Sequence, residues 1–351
     1  MAQNTSGSAS ATTIEIHDVA PIPASDRHGK AWHLFTVWSS PNLEFATVFI
    51  GFLAVIVFEL NVWQAIAAVV VGNSLAAVTH GILSTWGPKT GLPQMVIGRS
   101  AFGKLGNILP AGMSTLVAGI GWFAVNSTSG AFALQALTNL PIELSLLIVV
   151  AAQILVAFVG HNLIQKFERY AFYYLVVVFG IAAIIVLAQG NYTVAADKSS
   201  FNLIGFTLTA AAAYGYTAGW TAFASDYTRY LPVNTNSRQL GLAAGLGNWF
   251  ATTLLMTVGA VAWTVASPEG NPTSNFTGLL HNDFLAALVL LGIAVGSIGA
   301  NVLNVYSGAM SFLAMGFKLG FKARRAIMVA LAGLVGGIIS YIGVVNGDVA
   351  H

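Results

Sequence analysis

Apolar residues in this chain gather into nine long stretches, at about 42–60, 62–84, 106–137, 141–160, 168–188, 202–225, 239–266, 283–310 and 326–345. A helix crossing the hydrocarbon core needs about 17–25 such residues, so the pattern predicts nine spanning helices. Backbone amides find no water in that layer, and only helices and closed barrels satisfy them internally. The chain therefore reads as an all-α integral membrane protein. Against the apolar background a few positions stand out: Glu44, Trp122, Asn126, Gly219, Trp220, Asn301 and Asn304. Hydrocarbon tolerates polar groups only where they face a protein interior or a wet cavity, so these are the first candidate functional residues.

Composition excludes a soluble protein: 56% of residues are hydrophobic and 7% charged, with a mean hydropathy of +0.76, against about 25% charged in soluble domains. Charge also orients the helices. With the N-terminus in the cytoplasm, loops 86–104, 161–168, 226–238 and 318–325 fall on the same side; they and the N-terminal segment hold or adjoin 13 of the 14 basic residues, all but Lys198. This is the positive-inside asymmetry, and it predicts a multi-pass protein of the plasma or inner membrane. Residues 1–30 are rich in Ser, Ala and Thr and carry no signal-peptide pattern, which predicts a disordered cytoplasmic tail. The absence of cysteine removes disulfides, thiolate metal sites and cysteine nucleophiles. A net charge of +2 gives no nucleic-acid footprint, and no serine and histidine pair at matching depth supports a membrane hydrolase. The chain is not read as an enzyme.

Two places look broken. At Trp38-Ser39-Ser40-Pro41-Asn42, proline removes an amide donor at the entry to segment one. At Tyr214-Gly215-Tyr216-Thr217-Ala218-Gly219-Trp220, two glycines loosen segment six. Glycines also serve close helix packing, which is the alternative reading of either break alone. Broken segments at corresponding places of two halves point to a transporter's binding site, and one and six correspond in a five-plus-five inverted repeat. On that reading residues 31–190 form the first repeat, segments one to five, and 191–351 an incomplete second one, segments six to nine.

Four motifs keep their order along the chain. They are Trp38-Ser39-Ser40-Pro41-Asn42-Leu43-Glu44-Phe45-Ala46-Thr47-Val48-Phe49-Ile50-Gly51; Leu109-Pro110-Ala111 with Gly121-Trp122-Phe123-Ala124-Val125-Asn126; Gly219-Trp220 with Asp226-Tyr227-Thr228-Arg229-Tyr230-Leu231-Pro232; and Asn301-Val302-Leu303-Asn304-Val305-Tyr306-Ser307. From about residue 30 onward the chain resembles the nucleobase:cation symport family, which contains cytosine and purine permeases and hydantoin and allantoin carriers. The resemblance implies the inverted-repeat sodium-symporter fold, usually with twelve segments. The last three are expected to be lacking here, as in a truncated, frameshifted or naturally short chain.

The resemblance implies that Trp122 and Trp220 sandwich a planar ring; packing or interface anchoring is the other reading of each. Asn126 lies four residues beyond Trp122 on the same helix face and offers donors and acceptors to a base edge. Asn301 and Asn304, three apart, would do so from segment eight. Interhelical hydrogen bonds, worth about 0.6–2 kcal/mol in membranes, are their alternative role. Gly219 would let cargo approach the backbone.

In sodium-coupled relatives the ion sits between segment-one carbonyls and segment-eight oxygens. The matching stretch here offers one hydroxyl, Ser297, a poor set. A buried acid must be paired, protonated or bound to a cation, so Glu44 is expected to carry a coupling proton or to read a ring nitrogen. Sodium and proton coupling both stay open, and no other cofactor is expected. Asp226 and Arg229 read as an ion pair and loop anchor at the inner gate. Lone His80 and His161, and Glu168, lie near the inner boundary without metal-ligand spacing; Asn73 and Gln153 read as bonds between helices. The expected function is secondary active uptake of a nucleobase or related heterocycle. Segments one, two, six and seven would rock against three, four, eight and nine. A passive channel for small neutral solutes and a non-transporting remnant are the alternatives.

Overall fold

The computed structural model describes residues 17–193, 200–266, 271–317 and 330–346, and these are helices and connecting turns with no strand among them. Chain order is α1 (His33–Ser39), α2 (Phe45–Ile56), α3 (Val62–Ser84), the short helices α4 (Trp86–Thr90), α5 (Gln94–Ile97) and α6 (Arg99–Gly106), then α7 (Ile108–Leu116), α8 (Phe123–Thr138), α9 (Ile142–Val159) and α10 (His161–Gln189). After these come α11 (Leu203–Ala218), α12 (Ser237–Ala262), α13 (Pro272–Gly278), α14 (Asp283–Ala314) and α15 (Gly337–Asn346). Among the described residues six helices are long and apolar enough to cross a membrane, or seven if α1 and α2 form one span bent by 61°. The expected segments at 202–225 and 326–345 are less regular. The first is a 16-residue helix continued by a 3-10 turn, Gly219–Phe223, and the second is a π-helical run, Leu331–Gly336, passing into α15.

Three expectations are corrected. The first span starts at His33, so the break lies within it and not at its entry. Its first half is buried inside the protein, with Thr36, Trp38 and Ser39 at 4% exposure or less, so it does not need the apolar sequence that lipid contact demands. Segment five begins at His161, taking in the expected loop 161–168, because buried His161, Ile164 and Glu168 place its first turns against protein. Residues 17–30 are not a free tail. Ile22 is buried, Arg27 donates to the carbonyls of Ile22 and Pro88, and the His28 amide donates to the Tyr230 carbonyl. Residues 1–16, the basic loop 318–325, Lys198 and the chain end 347–351 lie outside the described residues.

Packing divides the helices into two groups. Helices α1, α2, α3, α11 and α12 form a bundle, and α7, α8, α9, α14 and α15 form a scaffold. Helix α10 packs on both, touching α1 and α12 on one side and α9 and α14 on the other. Small residues let bundle backbones touch: a Cβ on Gly51 would stand 1.9 Å from the Met256 carbonyl, and one on Gly259 1.9 Å from that of Val48. Lipid gives helices no hydrophobic reason to associate, so such close van der Waals contact carries much of the cohesion. Asn73 adds polar bonds, to Thr217 at 2.7 Å and Thr253 at 3.2 Å. In the scaffold Gln153 accepts from Ser127 Oγ at 2.9 Å and donates to the Ser297 carbonyl at 3.4 Å, tying α9 to α8 and α14.

Candidate functional site

The two groups part around a cleft with about 490 Å³ of empty space. Glu44, Tyr216, Gly219 and Trp220 line it from the bundle, and Trp122, Asn126, Ala300 and Asn304 from the scaffold. Both irregular spans open onto it. In the first, Pro41 sits in the 3-10 turn Ser40–Asn42, and Leu43 and Glu44 leave helical geometry, Glu44 being fully extended at φ −151°, ψ 171°. In segment six the α-helix ends at Ala218, so the break is at Gly219 and not at Gly215.

Side chains satisfy the backbone and polar groups at the break. Asn42 Nδ2 donates to the Trp38 carbonyl at 2.8 Å and to Asn248 Oδ1 at 3.1 Å, and its Oδ1 accepts from Trp220 Nε1 at 2.9 Å. The Trp220 indole is therefore fixed by a hydrogen bond from its own edge and keeps a face on the cleft. Glu44 caps α2: its Oε2 accepts from the Ala46 amide at 2.9 Å and its Oε1 from Tyr216 OH at 3.0 Å. A helix N-terminus favours an anion, and no lysine, arginine or histidine pairs with Glu44 among the described residues. Gly219 is open: a Cβ there would meet nothing within 4 Å.

On the scaffold a π-helical run, Val117–Trp122, widens the helix between α7 and α8. Such turns are rare and concentrate at functional sites. It delivers Trp122 edge-to-face against Tyr216, with centroids 5.1 Å apart at 88°. Asn126 donates to Asn301 Oδ1 at 3.1 Å, while its own Oδ1 is buried without a partner among the described residues. Asn304 donates to the same Asn301 oxygen at 3.3 Å.

Asn301 itself stands behind the lining. Its Nδ2 donates to the Phe123 carbonyl at 2.8 Å and to Ser127 Oγ at 3.1 Å, and its Oδ1 receives both neighbouring asparagines. It holds Asn126 and Asn304 in place and does not face the cleft. Ser297 is likewise not in it: its hydroxyl donates to the Ala294 carbonyl at 2.9 Å and lies against α8, where a Cβ on Gly130 would meet it. Asp226 and Arg229 stand outside the cleft lining and anchor loops. Asp226 Oδ1 accepts from the Gln94 amide at 2.8 Å; Arg229 reaches the Asp18 carbonyl and Tyr306 OH. His80 packs on Trp38 at 4.3 Å and His161 stacks on Tyr230 at 4.0 Å. Among the described residues no group of three His, Cys, Asp or Glu could hold a metal ion.

Two residues of the site were not singled out by the sequence. Tyr216 lies three before Gly219 and four before Trp220, hence on their helix face, and that spacing was a usable signal. Asn42 follows the proline break directly, but its bond to Trp220 is made across the fold.

The chain is similar to known proteins in sequence and in fold. A family model described as "Permease for cytosine/purines, uracil, thiamine, allantoin" matches residues 21–347. The Bacillus subtilis protein YxlA, which carries the purine-cytosine permease name, is 27% identical over 337 residues, covering 95% of this chain and 73% of its own. Purine-cytosine permease FCY21 of Saccharomyces cerevisiae is 25% identical over 324 residues, 86% of this chain and 60% of its own length, so the chain spans less than two thirds of that relative. Among solved structures, Mhp1, a nucleobase-cation-symport-1 family transporter in a closed conformation with bromovinylhydantoin bound, superposes with a TM-score of 0.74 at 18% identity, covering 95% of this chain and 76% of Mhp1. The fold is thus the one expected, a multi-pass membrane transporter fold, and the chain belongs to the family of permeases for cytosine/purines, uracil, thiamine and allantoin.

Proposed function

We propose that this chain takes up a nucleobase or closely related heterocycle by alternating access, coupled to a cation. The observation that carries the reading is the division of the cleft lining between two packing groups. The scaffold brings Trp122, Asn126 and Asn304; the bundle brings Trp220, Gly219 and Glu44. A flat ring held there touches both, so its arrival and departure bear on their relative position. Indole faces take a ring of any base, and amides and a carboxylate read its edge. The unpartnered Asn126 Oδ1 favours a ligand role over a merely structural one. An unsatisfied buried acceptor costs about 1–3 kcal/mol, more than the roughly 0.6 kcal/mol an average interhelical bond returns in a membrane. A ring N–H supplies the missing donor. The carboxyl of Glu44 suits a second N–H on the opposite edge.

For the coupling ion, the Ser297 hydroxyl, the one hydroxyl expected from segment eight, is turned toward α8 and bonded to the Ala294 carbonyl, which favours a proton over sodium. The residue ranges 31–190 and 191–351, as the two repeats, and a cytoplasmic N-terminus complete the proposal. The test is uphill uptake of labelled cytosine into proteoliposomes under an imposed pH or sodium gradient, with purines, uracil, allantoin and hydantoins as competitors. Concentration inside that collapses with a protonophore supports the reading. Simple equilibration marks a passive channel, and no uptake with no binding refutes both.

A further inference from the structure

Glu168 on α10 is a fully buried acid, exposed 0%, that neither the cleft nor the inner loop contacts use. Its carboxyl lies flat against α14, where a Cβ on Gly299 would stand 2.9 Å from Oε1 and 3.2 Å from Oε2. One turn along α14, a Cβ on Gly296 would meet the Leu43 carbonyl at 2.6 Å and Glu44 Cβ at 2.9 Å. Residues three apart share a helix face, at about 4.5 Å of rise. One face of α14 thus passes from the extended residues of the first break to Glu168.

The two acids are supplied very differently. Glu44 accepts two hydrogen bonds and caps a helix. Neither oxygen of Glu168 has a hydrogen-bond partner among the described residues, and none of them forms an ion pair with it. The polar side chain facing it is the Ser40 hydroxyl, from the break itself, and Tyr227 is a titratable group close enough to feel its charge. Arg169, next on the helix, turns instead to His33 Nδ1 at 2.8 Å. Tyr306 of α14 faces Tyr227, at 5.6 Å between centroids. The only charged residues of α9 and α12, Glu143 and the exposed Arg238, sit in the first turns of those helices. An ionised carboxylate with no counter-ion and only one hydroxyl facing it costs several kcal/mol in a protein interior; a proton removes that cost and needs no further ligands. Sodium would need more oxygens than this packed corner offers. Solvent space is near: Gln165 and Arg169 of the same helix line an inner cavity with about 850 Å³ of empty space.

We infer that Glu168 is a proton-binding site on the inner side of the first break, and that the coupling proton resides there while Glu44 remains the carboxylate that meets the cargo. The coupling role rests on the uptake reading above; the bound proton does not. Infrared difference spectra of the purified protein in lipid nanodiscs, taken across a pH titration, read the proton directly. The carbonyl stretch of a protonated carboxyl should be present at neutral pH, remain in E44Q and vanish in E168Q. Should E168Q not fold, S40A, which removes only the facing hydroxyl, should shift that band. In proteoliposomes E168Q should keep exchange of labelled cytosine against unlabelled cytosine and lose accumulation driven by a pH gradient. A band unchanged in E168Q, or carboxyl changes at Glu168 produced by sodium at fixed pH, overturns the inference. A wild type with the band but no cytosine exchange keeps the proton site and refutes the uptake reading.

Discussion

At the scale of single residues, some groups line the cleft and others only hold the lining in place, and on the proposed function only the first kind would touch a guest. Gly219 gives the sharpest test. Because a Cβ there meets nothing within 4 Å, Gly219→Ala should leave stability within about 0.5 kcal/mol of wild type, while its methyl takes up cleft space and weakens cytosine binding. Thermal unfolding and equilibrium binding on the same sample check both halves. Trp122→Ala removes a stacking face of the kind worth about 1–3 kcal/mol per base, so binding should fall roughly tenfold to a hundredfold for every base tested. Asn126→Ala should instead change the ranking of competitors, since Asn126 carries the open acceptor. If both variants lowered all affinities by one common factor, the assignment of separate stacking and edge-reading roles would be wrong.

At the scale of elements, the bundle depends on backbone contact. Helices α2 and α12 cross where Gly51 and Gly259 each face the other helix's carbonyl. Gly259→Ala places a methyl where the Val48 carbonyl stands, so the helices must separate along their contact. Overpacking of this kind costs about 1–3 kcal/mol, and the variant should show a lower unfolding temperature and a smaller folded fraction in detergent. Ala at Gly180, where a Cβ meets nothing within 4 Å, is the matched control. The π-helical run before Trp122 works in the same local way, setting the rotation at which Trp122 and Asn126 present themselves.

At the scale of the whole molecule, two packing groups with a ligand cleft between them make access to the cleft depend on their relative position. The sequence contains no cysteine, so a single introduced thiol reports cleanly. Ala222 lines the cleft from the bundle and Ala118 from the scaffold. A222C and A118C should both react with a membrane-impermeant thiol reagent, and saturating cytosine should slow both. Protection of only one would mean that the guest does not bridge the two groups.

Much of this was written in the sequence because hydrocarbon is a demanding solvent. It forces long apolar runs, so the class of protein and the order of its spans follow from composition. It also makes buried polar residues rare, so Trp122, Asn126, Gly219, Trp220, Asn304 and Glu44 could be picked out one by one, and all six line the cleft. What composition does not encode is helix rotation and the depth of each partner. Only packing turned Asn301 and Ser297 away from the cleft, carried the first span back to His33, folded residues 17–30 against Pro88 and Tyr230, and recruited Tyr216 and Asn42. The same limit hid Glu168. Along the chain it is one acid near a membrane boundary, and the contact that buries it without a counter-ion is made by helices far apart in sequence, whose faces meet only after the fold has formed.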